Sequence, residues 1–371
     1  MIVIADDITG AAEIAGIAFA NGQQTRLIFD HHVSSSDMGD EAVVVIASDT
    51  RSMSEAEAAA ETRQIVDAIG PVILRDHGPL FKKTDSALRG HVVAELTALL
   101  EHSGYRRAVY MPANPSRGRI IHHGTYYIVE GEEHRVPIHE TDFSFDPEFP
   151  AHTSVLSERF PDAACHDIIM PDATTQEDLL RIVRQYDDGH TLFAGAADLF
   201  SVVSGYESPT RNKPVTQPVI PDSLIVLCGS TQSRPLNLGI PTFEMPDDVY
   251  DGRVEAEKWY KKLLEQYIND ERHALILTIP RQPNSHQSHN KSTALRLRSI
   301  MAEAAHCLIR HHSPHNLVIE GGATAWSTLQ ALGWTQFRIV GEVAPGVVQM
   351  LADGGTIVTL KPGSYPWGGL F

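Results

Sequence analysis

Two adjacent aspartates stand where a short apolar run gives way to a glycine-containing segment, in Ala5-Asp6-Asp7-Ile8-Thr9-Gly10-Ala11. Ile2 to Ala5 reads as a buried strand and Thr9 to Ala20 as a small-residue helix ended by Asn21-Gly22. The carboxylates therefore fall at a strand end and a helix start. In open α/β sheets, ligands collect beyond the carboxyl ends of the strands. A helix N-terminus also offers unpaired N–H groups to an anion or hydroxyl. A carboxylate there can orient a substrate hydroxyl or take its proton. Equally, Asp6 or Asp7 can do no more than cap the helix.

A second cluster is Lys82-Lys83-Thr84-Asp85-Ser86-Ala87-Leu88-Arg89-Gly90-His91. Two lysines and an arginine surround an Asp-Ser pair just before a helical pattern. Such a cluster can hold a carboxylate or phosphate, with Arg89 giving bidentate bonds. The plainer alternative is a solvated, capped helix start. Met111-Pro112-Ala113-Asn114-Pro115-Ser116-Arg117-Gly118-Arg119 follows another strand and combines turn formers with cations. Asp49-Thr50-Arg51-Ser52 sits at a fourth strand end. Polar and cationic strand ends of this kind are expected to converge.

In the second half the signals are glycines. Leu227-Cys228-Gly229-Ser230-Thr231 and Glu320-Gly321-Gly322-Ala323-Thr324-Ala325 each follow a strand. Gly341-Glu342-Val343-Ala344-Pro345-Gly346 and Lys361-Pro362-Gly363-Ser364 come later. Gly-rich strand-to-helix turns let a phosphate chain approach the backbone closely, although Gly-Gly also simply ends strands. There is no G-x-x-x-x-G-K-[ST] and no G-x-G-x-x-G, so neither a P-loop nor a standard dinucleotide site is supported. The 19 histidines form no H-E-x-x-H and read as surface or loop residues rather than metal ligands. Cys228 reads as a small buried residue rather than a nucleophile.

The elements that must position these groups alternate between β and α. Further strands are expected at Arg26 to Phe29, Val43 to Ala47, Pro71 to Leu74, Leu80 to Lys83, Ala108 to Met111 and Thr191 to Ala194. Ser52-Met53-Ser54-Glu55 reads as a capping box opening a helix to about Ile69. Leu88 to Leu100 reads as helical, and Tyr126 to Ile138 as a hairpin excursion. Thr175 caps a helix through Val183. Residues 205–222 hold four prolines and almost no apolar periodicity, as an interdomain linker would. The second domain starts at the strand Leu224 to Leu227, with strands at Ala274 to Ile279 and Asn316 to Glu320 and a helix from about Thr324 to Leu332. Gln282 to Lys291 reads as a surface loop. The fold class is therefore α/β: two domains, residues 1–204 and 223–371, each with a mostly parallel sheet flanked by helices, and a ligand crevice between them.

The 371 residues carry 30 Lys and Arg against 47 Asp and Glu, a net charge of −17. A broad nucleic-acid or anionic-membrane surface is not expected at this charge. A small anion can still bind where cations are gathered locally. Three dispersed cysteines without a C-x-x-C fit a reducing compartment. The N-terminus lacks a basic n-region, and the longest apolar run, Ala42 to Ala47, is far below the roughly 18 residues of a membrane helix. A cytoplasmic protein is expected.

Together these motifs resemble the four-carbon acid sugar kinase family. The residues carrying the resemblance are Ala5 to Ala11, Lys83 to His91, Pro112-Ala113-Asn114-Pro115, Gly118-Arg119 and Asp146-Pro147. Gly229-Ser230, Gly321 to Ala325, Gly341-Glu342, Pro345-Gly346 and Lys361/Gly363 complete the order over nearly the whole chain. Three positions depart from the usual family pattern: Ala87 replaces Thr, Ala323 replaces an acidic residue, and Pro362 interrupts Lys-Ser-Gly. The resemblance implies an N-terminal domain binding the sugar acid and a C-terminal domain binding ATP. It also implies phosphorylation of a terminal hydroxyl on threonate, erythronate or a 3-dehydrotetronate.

In that picture Asp7 or Asp85 orients or deprotonates the hydroxyl, and Arg89 with Lys82 or Lys83 holds the carboxylate. Asp6, Arg51, Ser86, Gly90 and Asn114 complete the substrate side. Ser230, Gly321, Gly322, Ala323, Thr324, Gly346 and Gly363 line the nucleotide, with Mg²⁺ expected on its phosphates. The partners are a small sugar acid and ATP, and a homo-oligomer is compatible. Two other readings stay open: a sugar-acid-binding or regulatory protein that has lost catalysis, and a kinase for another oxidised or branched sugar acid.

Overall fold

The computed structural model describes residues 1–29, 33, 35–76, 78–131, 134–146, 148–206, 216, 219, 222–229, 236–280, 291–344, 346–363, 367 and 369–371. The chain divides into two compact units, Met1–Asn212 and Lys213–Phe371. Most of residues 205–222, nearly all of the 282–291 loop, and Ser230 lie outside the described residues. No described helix is long and apolar enough to cross a membrane.

The first unit runs β1 (Ile2–Ala5), α1 (Ile8–Ala20), β2 (Thr25–Phe29), β3 (Val43–Ala47), α2 (Glu55–Asp76), β4 (Leu80–Lys83), α3 (Val92–Ser103) and β5 (Arg107–Met111). It continues with β6 (Arg119–His122), β7 (Thr125–Glu130), β8 (His134–Pro137), α4 (Leu156–Arg159), β9 (Ile168–Ile169), α5 (Gln176–Tyr186), β10 (Thr191–Gly195) and α6 (Ala197–Val203). The strand order is β2-β3-β1-β4-β10-β5-β9, parallel throughout. β1, β3 and β4 are buried at every residue, as a parallel sheet covered on both faces requires.

Register decides where the chemistry goes. Ala5 pairs with Ala47 and Lys83, Lys83 with Gly195, and Gly195 with Met111. All five strands thus end level, and the segments following them emerge along one edge. Gly195 is needed there, because a Cβ would lie 2.0 Å from the Met111 carbonyl oxygen.

The second unit has β11 (Leu224–Cys228), β12 (Thr242–Glu244), α7 (Asp247–Tyr250), α8 (Glu257–Asn269), β13 (Leu275–Thr278) and α9 (Lys291–His311). It ends with β14 (Asn316–Glu320), α10 (Gly322–Leu332), β15 (Gln336–Ala344), β16 (Val347–Ala352) and β17 (Ile357–Lys361). Its order is β12-β13-β11-β14-β17-β16-β15. The first five strands are parallel, while β16 runs antiparallel to both neighbours. The α/β class and mostly parallel sheets are as expected.

Several local expectations are corrected. Pro71 to Leu74 is helical rather than extended: Gly70 (φ 78°) kinks α2, and Pro71 restarts it where a missing N–H costs nothing. The capping box is Ser54 with Glu57, two residues later than Ser52 with Glu55; the Ser52 hydroxyl turns to Asp49 instead. The helix expected from Leu88 begins at Val92, because Leu88 (φ 63°) and Gly90 (φ 95°) are left-handed. Gly341 to Ala344 lies within β15 and is not a turn; of the described residues, Gly346 alone separates it from β16. The hairpin excursion gains a third strand, in the order β6-β7-β8.

Thr175 and Asp178 form the capping box of α5. Burial opposes ionisation of Asp178, but hydrogen bonds from Arg181, Thr174 and Thr175 outweigh it and hold the carboxyl far below its ordinary range. Asp178→Ala is expected to cost about 1 kcal/mol at pH 7. A depressed carboxyl stabilises above its unfolded value and loses that as pH falls. The difference from wild type, read from urea midpoints, should therefore shrink below about pH 4.

Candidate active site

At the level edge of the first unit, one guanidinium gathers three carboxylates. Arg51 Nε and Nη2 donate to Asp6 Oδ2 at 3.0 and 2.9 Å, and Nη2 also donates to Asp7 Oδ1 at 3.1 Å. Its Nη1 lies 3.7 Å from Asp85 Oδ1. A second arginine completes the lattice: Arg89 Nε and Nη2 each donate to Asp85 at 2.9 Å, and Nη1 reaches Asp146 Oδ2 at 3.5 Å. The Ala87 amide donates to Asp85 at 2.8 Å, fixing the Asp85–Gly90 loop on its own carboxylate.

Asp7 also caps α1, accepting from the Gly10 amide at 2.9 Å and from the Thr9 hydroxyl. Gly10 leaves room for this: a Cβ would lie 2.7 Å from Asp7 Oδ1 and 3.1 Å from Lys83 Nζ. Capping and site membership therefore coexist in one side chain.

Burial drives the Asp6 carboxyl above its ordinary range, although Arg51 pulls the other way. Burial also opposes ionisation of Asp7 and Asp85. At Asp7 it is outweighed by Arg51, Lys83, Thr9 and Gly10, so the carboxyl is lowered. At Asp85, Arg51, Arg89 and Lys83 hold it far below the carboxylate range. Asp6 Oδ1, Thr84 Oγ1 and the Tyr110 hydroxyl are buried and make no hydrogen bond among the described residues.

Asp6, Asp7, Arg51, Lys83, Asp85, Ser86, Arg89 and Gly90 thus share one edge. Gly90 closes over Asp6, since a Cβ would lie 3.2 Å from Asp6 Oδ2. Lys82 makes no ion pair with this lattice among the described residues. It is fully buried, and its ammonium pairs with Glu95 of α3, which also accepts from Thr50 at 2.7 Å. The pair braces the Arg51 turn from beneath. Asn114 anchors α6 by accepting from the Asp198 amide at 3.0 Å. Lys83 Nζ donates to the Thr84 carbonyl at 3.0 Å and lies 3.7 Å from Glu13. Sequence reading missed Glu95, Tyr126 and Phe143. Tyr126 donates to the Ser86 carbonyl, and Phe143 lies under Arg89 and Arg119. Their sequence separation from their partners left no local signal.

In the second unit, Cys228, Glu320 and Lys361 pair across β11, β14 and β17, so these strands also end level. Gly321, Gly322, Ala323 and Thr324 follow β14, and Gly363 follows β17. Val348 pairs with Leu360, so the β15–β16 turn at Gly346 falls at the same edge. Among the described residues the N-terminus of α10 has no side-chain cap, and its first turn holds no acidic residue. Its leading amides fit an anionic phosphate. Gly229 admits the close approach of Thr324, whose Oγ1 would lie 1.9 Å from a Cβ there. Lys361 Nζ is held by Glu320 Oε1 at 2.5 Å and by the Pro362 and Gly363 carbonyls.

Comparison with known proteins adds a family. Residues 1–163 match the model of a sugar-binding N-terminal domain, and residues 235–365 that of a nucleotide-binding C-terminal domain. A D-threonate kinase of Salmonella typhimurium is 34% identical over 159 residues, 43% of this chain and 35% of the relative. A D-erythronate kinase of Heliobacterium modesticaldum is 29% identical over 160 residues, 43% of this chain and 35% of the relative. A 3-oxo-tetronate kinase of Brucella melitensis is 34% identical over 131 residues, 35% of this chain and 29% of the relative. These matches span only about a third of the relatives' length. A Haemophilus influenzae protein of known structure has the same fold, with a TM-score of 0.69 at 20% identity over 100% of this chain and 98% of that one.

Two outcomes follow. Removing one member of the buried Lys82–Glu95 pair (Lys82→Met or Glu95→Leu) should cost about 3–5 kcal/mol, and the double substitution should recover much of it. Denaturant midpoints of the three variants measure this. Gly229→Ala should lower stability by about 1–3 kcal/mol through overpacking against Thr324, read as a fall in the melting temperature.

Proposed function

We propose, from the premise that the chain belongs to the four-carbon acid sugar kinase family, that it transfers the γ-phosphoryl group of ATP to a terminal hydroxyl of a four-carbon sugar acid. The observation that carries this reading is the Asp6–Asp7–Arg51–Asp85–Arg89 lattice at one sheet edge of a domain matching a sugar-binding model. The acceptors named for the relatives, threonate, erythronate and 3-oxo-tetronate, support a four-carbon sugar acid as the substrate class.

Phosphoryl transfer asks an enzyme chiefly for positioning and charge neutralisation. The three lattice carboxylates divide that work by access. The Asp7 side chain is 17% exposed, against 10% for Asp85 and 2% for Asp6. Asp7 therefore orients the acceptor hydroxyl and receives its proton. Asp85 acts by fixing Arg89 and Arg51. Asp6 anchors Arg51 from below. Arg51, Lys83 and Arg89 offset the carboxylates of the edge, so that an anionic acid meets less repulsion there than the chain's net charge of −17 would impose.

ATP, when bound, supplies the phosphoryl group. The amides of Gly322, Ala323 and Thr324 at the start of α10, with Gly321, Gly346 and Gly363 around them, are suited to its phosphates. Ser230 belongs to the same proposal from the sequence. Mg²⁺ needs no dedicated cage for this role, since it commonly binds phosphates with one or two carboxylates and keeps several waters.

The test is ADP release from Mg-ATP over a panel of D-threonate, D-erythronate and 3-oxo-tetronates. Release with one acid is expected, and silence across the panel would overturn the reading. Asp7→Asn should lower kcat about a hundredfold or more. Asn keeps the helix cap, so the variant should still fold, with a lowered urea midpoint from the lost charge pairing to Arg51.

A further inference from the structure

The expected carboxylate grip, Arg89 with Lys82 or Lys83, is already taken up by the protein itself. Arg89 is bidentate on Asp85, Lys82 is sealed against Glu95, and Arg51 serves three aspartates. Lys83 is shared between the Thr84 carbonyl and Glu13. One cation of this neighbourhood stands apart. Arg119 has no carboxylate within ion-pair distance among the described residues, and its one side-chain hydrogen bond goes from Nη1 to the Ser86 hydroxyl. Arg159 also lacks a carboxylate within ion-pair distance among the described residues, but its guanidinium donates to the Pro150 and Leu88 carbonyls.

Arg119 is also placed and held. Ser86 directly follows Asp85, so the Arg119 guanidinium lies beside the lattice. Arg119 and Arg89 both lie over the Phe143 ring, at 5.7 and 6.0 Å from its centroid. The backbone of Arg119 is fixed by paired bonds with Asn114, at 2.8 and 3.1 Å, across the turn that Gly118 closes. Gly118 is tight against β7: a Cβ would lie 2.8 Å from the Val129 carbonyl oxygen. Tyr126 of β7 fixes the Ser86 carbonyl. A guanidinium so held, with most of its donors unclaimed, is preorganised for a planar bidentate anion.

We infer that Arg119, seated on Phe143 and Ser86, is the residue that binds the carboxylate of the sugar acid and so selects acids over the corresponding polyols. The inference rests on the kinase reading above and assigns one function within it. Arg89 then serves to position, held by Asp85, while Arg119 makes the contact with substrate.

The experiment is steady-state turnover of wild type, Arg119→Ala and Arg119→Lys with Mg-ATP over the same acid panel. Absence of turnover by the wild type overturns the kinase reading, and with it this assignment. With an active wild type, Arg119→Ala should raise KM for the acid about ten- to a hundredfold, the range for losing a charge-assisted pair. KM for ATP should stay unchanged. Guanidinium ion added to Arg119→Ala should restore part of the lost kcat/KM, and Arg119→Lys should fall between the two. An acid KM within about twofold of wild type overturns the assignment alone. So does a loss shared equally by both substrates that guanidinium does not restore. If Arg119→Ala fails to fold, Arg119→Lys decides by the same KM split.

Discussion

Arg51 is the constraint on which the first unit's site depends. Asp6 and Asp7 leave the end of β1 together, and Asp85 leaves the adjacent β4 at the same level. Three carboxylates concentrated in a largely buried setting repel one another, and each resists ionisation. One guanidinium reaches all three, and its own backbone amide also donates to the Asp6 carbonyl at 3.2 Å. The fold fixes this residue from below. Thr50 bonds Glu95, Glu95 pairs with the buried Lys82, and Ser48 bonds the Ala5 carbonyl at 2.8 Å. The core ion pair and the site lattice are therefore consecutive layers of one assembly.

With the strong cations engaged by their own carboxylates, the edge has a stiff frame and few side chains left for substrate. Asp7 remains the most accessible carboxylate and Arg119 the guanidinium with donors to spare. A polar hydroxyl and a planar anion would thus meet groups that need no rearrangement. The second unit is built differently: its strand ends lead into glycines and a helix start with no side-chain cap among the described residues, which leaves backbone amides at that edge.

The sequence made the strands that feed both edges legible, because parallel strands buried on both faces read as short continuous apolar runs. Ile2 to Ala5, Val43 to Ala47 and Asn316 to Glu320 were plain for that reason. Val72-Ile73-Leu74 has the same appearance and is helical, since a short apolar run does not separate strand from helix. Gly341 was read as a turn, yet it sits at a register shift within β15, the other place a strand tolerates glycine. The residue types of the site were visible at the strand ends. Their pairings were not: Arg51 meets Asp6 across 45 residues, and Lys82 is claimed by Glu95 on a helix whose pattern gave no hint of a charge facing inward.

The most direct test is a pH titration of the aspartate side-chain carboxyls by ¹³C NMR in selectively labelled protein. Asp7, Asp85 and Asp6 would be assigned by single substitutions to Asn. The account predicts that Asp85 and Asp7 titrate below the ordinary carboxylate range and Asp6 above it: burial is outweighed by Arg51 and Lys83 at the first two, with Arg89 added at Asp85, but outweighs Arg51 at Asp6. Three curves centred near the unperturbed value of about 3.9 would contradict it, for the carboxylates would then be hydrated and independent rather than bound into one lattice.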